Sequence, residues 1–333
     1  MADRLALHVP FLERAGRSGA DVSLLAGDAS FRKYYRVRQA DEITVLMDAP
    51  PPQEDVRPFV RIARHLRSLG LSAPEILAED TGDGFLLLED LGDATYTRLL
   101  TEPGADEAAL YELATDVLIH LHRRADAVIP DLPAYDADLL WREASLLTDW
   151  YMPAVFGAET DASVRDAFEA AWRQVSAVTD AAPWSLVLRD YHVDNLLLLP
   201  DRPNIGQCGL LDFQDAVHGP TAYDLMSLLQ DARRDVAPDV QRLCLNRYLA
   251  AFPEIDRTAF EAAYAVLAAQ RHTKVIGIFT RLCVRDGKPD YLRHMPRLWR
   301  LLESALVHPA LDPVARWFDT HIQKQDRIIP RSP

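Results

Sequence analysis

The sequence predicts an α+β fold of two lobes, a small β-rich lobe followed by a larger helical lobe. The period of the apolar residues carries this prediction, because it changes along the chain. Strand-like patterns dominate the first ~90 residues, whereas most of the chain from residue 105 onwards repeats its apolar positions at helical spacing. We therefore place an N-terminal lobe at residues 1–91, a connector near residues 89–92 and a C-terminal lobe at residues 92–333.

The N-terminal lobe is predicted to hold two antiparallel strand pairs with a helix between them. The segments GDASFRKYYRVR (27–38) and ITVLMDAPP (43–51) are apolar or alternating and end at prolines, which favours the first pair. Residues 53–70 carry apolar side chains at helical spacing and close on Gly70, which indicates an amphipathic helix. PEILAED and GFLLLED flank the turn DTGDG and predict the second pair.

The C-terminal lobe is predicted to be helical apart from one short region. Helical periodicity covers residues 106–124, 138–151, 161–178, 221–231, 238–251, 256–285, 289–306 and 311–324. Between the third and fourth of these segments, residues 185–212 contain the short strand-like runs SLVL, NLLLL and CGLLD. We therefore expect one small hairpin inside an otherwise helical lobe.

Composition and charge exclude several classes of protein. The 333 residues are 49% hydrophobic and 26% charged, a globular composition large enough for two lobes. No stretch approaches the ~18 to 20 apolar residues of a membrane span, and early charges such as Glu13 interrupt any signal-peptide core. A net charge of −14 disfavours binding to nucleic acid or anionic membranes. We expect a cytoplasmic protein, and no obligate protein partner is evident.

A polar interruption between two apolar runs is the strongest functional signal. In LVLRDYHVDNLLLLP (186–200), seven mostly polar residues separate two Leu/Val runs. Asp190 and Asn195 follow Arg189 with the spacing D-x-x-x-x-N, which matches most of the kinase catalytic loop. In that loop the aspartate accepts the proton of the attacking hydroxyl and the asparagine binds magnesium. These two residues are therefore the candidate base and a candidate metal ligand.

A second element follows in GLLDFQDAVHGP, where Asp212 ends an apolar strand. Phosphoryl transfer needs a carboxylate on the Mg²⁺ that bridges the β- and γ-phosphates, and the aspartate of a D-F-G element supplies it. Here Gln214 replaces the glycine of that element. Two motifs in the right order and at short separation favour a kinase that uses ATP and Mg²⁺.

With these residues the chain resembles the aminoglycoside phosphotransferase-like kinases, small-molecule relatives of the protein kinases, over roughly residues 25–306. Five segments are similar to the bacterial N-acetylmuramate/N-acetylglucosamine anomeric kinases of cell-wall recycling. They are GDASFRKYYRVR, VLMDAPP, LRDYHVDNLLL, GLLDFQDAVHGPTAYDLMSLLQDAR and QRHTKVIGIFTRL. The resemblance implies a two-lobed protein-kinase-like fold and ATP-dependent phosphorylation of the anomeric hydroxyl of a free amino sugar.

The resemblance also implies roles for individual residues. Asp190 would be the catalytic base, and Asn195 and Asp212 would hold magnesium. The loop at 27–32 would cover the phosphates, and the backbone at 89–91 would meet the adenine. The cofactor-binding residues predicted in this way are Gly27, Asp28, Ser30, Arg32, Lys33, Glu89 and Leu91.

The sequence departs from the kinase pattern at two further positions. Leu188 stands where many kinases have histidine, and Met47 occupies the place of the strand lysine that pairs the α- and β-phosphates. Because an unneutralised triphosphate binds poorly, another cation must replace that lysine. Arg32, Lys33 and Arg36 are the options, and the first two are favoured because they lie at the phosphate loop.

The sugar site is predicted only as a set of candidates. Carboxylates can accept hydrogen bonds from sugar hydroxyls, although Glu143 lies on a helix whose buried face needs residues for the core as well. The lactyl carboxylate of N-acetylmuramate calls for a cation, for which Arg142, Arg271 and Lys274 are options. His192 is more often a structural residue, and Gln214 can face substrate or order its loop. The candidate sugar-binding residues are Glu143, Arg142, His192, Gln214 and Arg271.

Two alternatives stay open at the level of sequence. A kinase of the same fold could act on another alcohol, such as an aminoglycoside, choline or a different sugar. A nucleotide-binding pseudokinase is suggested by Met47 and Leu188. The presence of Asp190, Asn195 and Asp212 argues against the pseudokinase, because a pure binding module has no need of the base.

Overall fold

The structure is a computed structural model that describes residues 4–27 and 31–331. The chain divides into two compact units, each assembled from two stretches of sequence. The first unit comprises Met1–Ala105 and Val193–Asp215, and the second comprises Asp106–His192 and Ala216–Pro333. The lobe boundary predicted at residue 91 stays a prediction.

A five-stranded antiparallel sheet forms most of the first unit. Its strands are β1 (Asp21–Gly27), β2 (Lys33–Gln39), β3 (Glu42–Asp48), β4 (Ile76–Asp80) and β5 (Phe85–Glu89), in the spatial order β1-β2-β3-β5-β4. The two predicted strand pairs are confirmed as β2 with β3 and as β4 with β5. The sequence patterns missed β1, which pairs with β2 at the edge of the sheet.

Helices cover parts of the first unit, and α1 (Arg4–Arg14) packs on one face of the sheet. Its buried Phe11 contacts a core that includes Tyr35 and Val37 of β2. Because successive side chains of a strand point to opposite faces, Tyr34 and Arg36 lie on the other face. The predicted helix at 53–70 is confirmed as α2 (Arg57–Ser68), and a short α3 follows β5 (Tyr96–Leu99).

A small hairpin completes the first unit. It pairs β7 (Leu196–Leu198) with β8 (Cys208–Leu210). Asn195 precedes β7, and the backbone N–H of Leu211 donates to the Asn195 carbonyl at 2.9 Å. This bond holds the residues after β8 beside the residues before β7, and Asp212 is the next residue of the chain.

The second unit is mainly helical, as the sequence predicts. Its helices are α4 (Glu107–His122), α5 (Ala137–Ala144), α6 (Met152–Phe156), α7 (Ala162–Ser176), α8 (Ala222–Leu229), α9 (Pro238–Ala251), α10 (Arg257–Val284), α11 (Met295–Leu306) and α12 (Asp312–His321), with a π-helix at Leu147–Tyr151. The remaining strands, β6 (Trp184–Val187) and β9 (Val217–Pro220), pair with each other. Among the described residues, no helix is long and apolar enough to cross a membrane.

The predicted α+β fold is thereby confirmed, with an N-terminal sheet and a larger helical C-terminal part. One detail differs from the expectation of a single hairpin at residues 185–212. The run SLVL forms β6 and pairs with β9, whereas the other two runs form the β7–β8 hairpin. The loop from Leu188 to Asn195 therefore links two separate small sheets, which is why it can carry so many polar residues.

Candidate active site

A cavity of about 460 Å³ lies in the first unit, and all of its lining residues belong to that unit. Its apolar wall includes Tyr34, Val45, Phe59, Leu88, Leu197 and Leu211. Its polar lining residues include Glu89, Asp90, Asp194, Asn195 and Asp212. An apolar cavity with a few convergent polar groups is the usual form of a small-molecule site. The apolar wall suits a planar nucleobase, and the acidic and amide groups suit a divalent cation.

The predicted hinge lines this cavity through Glu89 and Leu91. The backbone N–H of Glu89 donates to the Glu75 carbonyl at 2.8 Å, which fixes the start of the segment. Arg36 then holds the next turn, because its guanidinium donates to Asp90 at 2.6 Å and to Asp93 at 2.8 Å. These bonds order the segment that is predicted to meet the adenine.

The two predicted magnesium ligands lie side by side in the first unit. The Asn195 amide Nδ2 is 3.4 Å from Asp212 Oδ2, and the Gln214 amide Nε2 donates to Asp212 Oδ1 at 2.8 Å. Asp212 has a φ of 57°, which residues other than glycine rarely adopt and which is common at functional sites. The sequence did not predict that Gln214 would orient the carboxylate.

These donor atoms fit a magnesium ion that is shared with a substrate. Mg²⁺ takes oxygen ligands and usually keeps one or two carboxylates, substrate phosphates and water. Among residues 4–27 and 31–331, no group of three or more His, Cys, Asp or Glu side chains could hold a metal alone. One carboxylate and one amide oxygen would therefore bind the ion together with phosphate oxygens.

Arg32, one of the three options from the sequence, lies beside Asp212 of this pair. Its Nη2 lies 3.5 Å from Asp212 Oδ1, and its Nε lies 3.9 Å from Glu54 Oε2. Glu54 also accepts the backbone N–H of Phe31 at 3.1 Å, so one carboxylate orders both the side chain and the chain beside it. The sequence analysis did not single out Glu54.

Strand geometry separates Lys33 from Arg32. Lys33 shares its face of β2 with Tyr35, which packs toward α1, whereas Tyr34 lines the cavity on the opposite face. Met47 pairs with Tyr34 across the sheet and is 1% exposed, so an apolar side chain fills the position of the strand lysine. The predicted phosphate-loop residues Asp28 and Ser30 lie outside the described residues, and Gly27 ends β1.

The catalytic loop in the second unit is anchored by a buried carboxylate. Asp224 of α8 accepts the backbone N–H groups of Leu188 at 2.6 Å and Arg189 at 2.9 Å. The guanidinium of Arg271 donates to the Arg189 carbonyl at 3.0 Å. Arg189 has a φ of 69°, so these bonds hold a strained turn immediately before Asp190. Asp224 thus supports the backbone of this turn at two successive residues.

Asp190 follows this turn with its carboxylate partly exposed. Arg271 Nη2 lies 3.6 Å from Asp190 Oδ1, and the Asp190 side chain is 37% exposed. Burial raises the pKa of Asp190, but Arg271, Lys274 and His192 oppose it and lower the pKa to about 2. The carboxylate is therefore ionised at neutral pH and can accept a hydrogen bond from a hydroxyl group.

Glu143 of α5 is buried and is surrounded by donors. It accepts hydrogen bonds from Lys274 at 2.7 Å, from Gln270 at 3.2 Å, and from Arg189 and Tyr135. Burial raises the pKa of Glu143, but Lys274 and Arg189 outweigh it and hold the pKa below its ordinary value. Four donors favour a role in positioning Arg189. Contact between Glu143 and a sugar stays a prediction.

The other predicted substrate residues occupy different environments. Arg142 is on the exposed side of α5, where its Nε donates weakly to the Asp138 carbonyl at 3.4 Å. His192 is buried, and burial lowers its pKa, so the ring is neutral near pH 7. Its Nε2 lies 3.3 Å from a guanidinium nitrogen of Arg233. No pattern in the sequence distinguished this arginine from its neighbours.

The anchor residue Asp224 should make stability depend on pH. Burial raises the pKa of Asp224 from 3.8 to about 7, against the two N–H donors and Arg271, which lower it. The folded state thus binds this proton more tightly than the unfolded state. The contribution of this proton to the free energy of unfolding is complete below about pH 4 and is lost as pH rises through about 7. We expect the free energy of unfolding of the wild type to fall across this range relative to that of Asp224→Asn.

Denaturant titrations of both proteins between about pH 4 and pH 8 measure this difference. The substitution also leaves one of the two backbone N–H groups without an acceptor oxygen, but the amide does not titrate, so the variant provides a reference that does not change its charge at this site. A constant difference between the two proteins across the range would contradict the raised pKa of Asp224.

Comparison with known proteins places this site in a family. Residues 21–263 match the profile of the phosphotransferase enzyme family. An N-acetylmuramate/N-acetylglucosamine kinase of Caulobacter vibrioides is 38% identical over 360 aligned positions, which cover 98% of this chain and 99% of the relative. The kinase of the same name from Pseudomonas aeruginosa is 41% identical over 86% of this chain and 84% of its own length.

A solved structure shares the fold. The GDP complex of aminoglycoside 2'-phosphotransferase-IIIa superposes with a TM-score of 0.62 at 16% identity, covering 91% of this chain and 98% of that one. The predicted aminoglycoside phosphotransferase-like fold is thereby confirmed, and so is the resemblance to the amino sugar kinases. From its profile match and its relatives, the chain belongs to the phosphotransferase enzyme family.

Proposed function

We propose that the protein uses ATP and Mg²⁺ to phosphorylate the anomeric hydroxyl of N-acetylmuramate and N-acetylglucosamine. The product would be the sugar 1-phosphate, formed in peptidoglycan recycling. The observation that carries this proposal is the match, over 98% of the chain, to a relative named for both sugars. The polar residues needed for phosphoryl transfer are all present as well, at Asp190, Asn195 and Asp212.

In this proposal Asp190 receives the hydrogen bond of the anomeric hydroxyl. The hydroxyl oxygen attacks the γ-phosphorus, its proton passes to the Asp190 carboxylate, and the bond between the γ-phosphorus and the bridging oxygen breaks to release ADP. A pKa of about 2 makes Asp190 a weak base, which suits a loose transition state in which the proton leaves late. Arg271 holds the carboxylate from one side at 3.6 Å.

The first unit would hold the nucleotide. Asn195 and Asp212 would bind magnesium, which neutralises charge on the β- and γ-phosphates. Gln214 would keep the Asp212 carboxylate in a fixed orientation through its 2.8 Å hydrogen bond. The apolar cavity would take the adenine beside the backbone of residues 89–91. Arg32 would place its positive charge on the phosphates in place of the missing strand lysine.

The role of Arg32 gives a prediction about nucleotide affinity. Removing a charged donor to phosphate costs roughly 1.5–3 kcal/mol, or about 10- to 100-fold in affinity. We expect Arg32→Gln to weaken ADP binding by this factor and to leave adenosine binding unchanged, because adenosine carries no phosphate. Isothermal titration of both ligands measures the difference. Arg38→Gln, which removes an exposed arginine from β2, the strand that follows Arg32, is the matched control. An equal loss for ADP and adenosine would show that Arg32 acts only on the structure of the cavity.

The proposed activity is tested by ADP release with Mg²⁺ and ATP. The acceptors are N-acetylmuramate, N-acetylglucosamine, glucose, kanamycin and choline, each assayed with the wild-type protein. Turnover restricted to the two N-acetyl sugars is the expected result. Turnover on kanamycin or choline alone would overturn the substrate and leave the phosphotransferase chemistry in place. Tight ATP binding without turnover on any acceptor would favour a regulatory nucleotide-binding module.

A further inference from the structure

Three polar residues form a cluster in the second unit, close in sequence to the predicted base. We call His192, Asp231 and Arg233 the His192 cluster. Arg233 Nη1 lies 3.3 Å from His192 Nε2, and the backbone N–H of Arg233 donates to Asp231 Oδ1 at 2.7 Å. His192 is two residues from Asp190, a separation of at most ~7 Å along the backbone. The backbone of His192 is therefore close to that of the residue whose carboxylate would receive the anomeric proton.

Electrostatic coupling supports this proximity. Burial lowers the pKa of His192, and Asp231 and Asp190 act against it, whereas Arg233 and Arg271 act with it. The neutral imidazole thus lies within range of two carboxylates and two guanidinium groups. A small polar ligand placed there would meet both acceptors and cations.

Asp231 gives an independent sign that a ligand belongs in this cluster. Its side chain is 2% exposed, and its Oδ2 has no hydrogen-bond partner within the part of the chain that the structure describes. A buried carboxylate oxygen without a donor is costly, and such atoms are rare in folded proteins. A hydroxyl group of a bound sugar would supply the missing donor.

The three cations that the sequence suggested for a substrate carboxylate are poorly placed to bind one. Lys274 donates to Glu143 at 2.7 Å and is buried with it. Arg271 is also buried, where it donates to the Arg189 carbonyl and to the Tyr223 hydroxyl at 3.0 Å. Neither could turn to a ligand without breaking the support of the catalytic loop. Arg142 lies on the exposed side of α5, and its Nε donates to the Asp138 carbonyl of the same helix.

Arg233 has the exposure and the support that carboxylate recognition requires. It is half-buried, and its guanidinium lies 5.8 Å from the centre of the Phe279 ring, which holds the planar group in place. A guanidinium pairs with a carboxylate through two parallel hydrogen bonds, and partial burial strengthens them. We propose that Arg233 binds the lactyl carboxylate of N-acetylmuramate and that Asp231 accepts a hydrogen bond from a hydroxyl of the sugar.

This inference rests on the proposed function and makes it more specific. Of the two sugars, only N-acetylmuramate carries a carboxylate, so Arg233 should matter for one substrate and not for the other. Asp231 should matter for both. Within the same site, substitution of Arg233 would thus report on the contact with the lactyl group, and substitution of Asp231 would report on the contact with the sugar ring.

Steady-state kinetics with both sugars test the inference. We expect Arg233→Gln to lower kcat/KM for N-acetylmuramate by about 10- to 100-fold, mainly through KM, because a charged hydrogen bond to the substrate is lost. The value for N-acetylglucosamine should not change. Arg233→Lys should recover part of the loss, since the ammonium keeps the charge without the bidentate geometry. Arg234→Gln is the matched control, because it removes the neighbouring charge, which pairs with Glu107 at 2.7 Å.

A second measurement changes the substrate, both for the wild type and for Arg233→Gln. The wild-type enzyme should use the methyl ester of N-acetylmuramate as poorly as Arg233→Gln uses the acid. The variant should then show no preference between acid and ester. The carboxylate site would be overturned if Arg233→Gln lowered kcat/KM equally for both sugars. It would also be overturned if the variant still preferred the acid to the ester as the wild type does.

The two proposals fail in different ways. Wild-type enzyme that phosphorylates neither sugar contradicts the proposed function, and the carboxylate site with it. The carboxylate site alone is contradicted if the wild-type enzyme phosphorylates both sugars and Arg233→Gln has the same kcat/KM values for them as the wild type.

Discussion

Asp190→Asn is expected to lower kcat by about 10²- to 10⁴-fold, because an amide cannot take the proton of the attacking hydroxyl. The substitution keeps the size of the side chain, and the turn before it is held by the backbone bonds of Leu188 and Arg189 to Asp224. The residues of the first unit that we propose to bind the nucleotide are unchanged. ADP affinity and the thermal midpoint should therefore stay close to the wild-type values.

Quenched-flow or coupled assays of ADP release measure kcat, and calorimetry measures ADP binding in the same preparations. A kcat within about tenfold of the wild type, a barrier change of only ~1.4 kcal/mol, would exclude Asp190 as the proton acceptor. A parallel loss of ADP binding would instead indicate that the variant is misfolded, which the thermal midpoint would reveal.

Asp212→Asn should have the second largest effect. The ion that this carboxylate would hold stabilises transition-state charge by several kcal/mol, so we expect kcat/KM to fall by about 10³-fold. The amide is neutral but keeps one acceptor oxygen, so the hydrogen bond that Gln214 donates to Oδ1 can persist while the negative charge is lost. Binding of Mn²⁺ in the presence of ADP, followed by electron paramagnetic resonance, measures the metal separately from turnover.

Asp201→Asn provides the matched control for this substitution. Asp201 is an exposed carboxylate in the turn between β7 and β8, the hairpin that also positions Asn195 and Asp212. It should bind metal and turn over substrate like the wild type. Unchanged Mn²⁺ affinity in Asp212→Asn would contradict the assignment of this carboxylate to the metal.

The elements that the sequence predicted are those with a periodic pattern. The long helices α4, α7, α9 and α10 each fall within a segment of helical periodicity. The run SLVL was predicted as strand-like and forms β6, whereas its partner β9, four residues long and about 30 positions away, was not predicted. The edge strand β1 was missed for a related reason, because only one of its sides pairs with another strand.

In the candidate site too, features that depend on neighbouring residues in the sequence could be predicted, and features that depend on residues distant in the sequence could not. The spacing of Asp190 and Asn195 is a local property, which the sequence displays directly. The environment of Glu143 is not local, because its four donors come from Tyr135, Arg189, Gln270 and Lys274. Residue type alone could not tell a saturated carboxylate from one that is available to a sugar.

The choice between Arg32 and Lys33 lies between these cases. Both residues are adjacent to the phosphate loop, and the sequence favoured them equally. Alternation along β2 places Lys33 on the face toward α1 and leaves Arg32 at 3.5 Å from Asp212. Once the bounds and the buried face of β2 were known, they were sufficient to separate the two residues.

In the proposed reaction, phosphate is transferred to the anomeric hydroxyl of an N-acetyl sugar. The most direct test is nuclear magnetic resonance of the product formed from N-acetylglucosamine, ATP and Mg²⁺. We expect a phosphorus resonance coupled to the anomeric proton, together with loss of the free reducing end. A phosphorus resonance coupled to the protons of another carbon, with the reducing end intact, would contradict it.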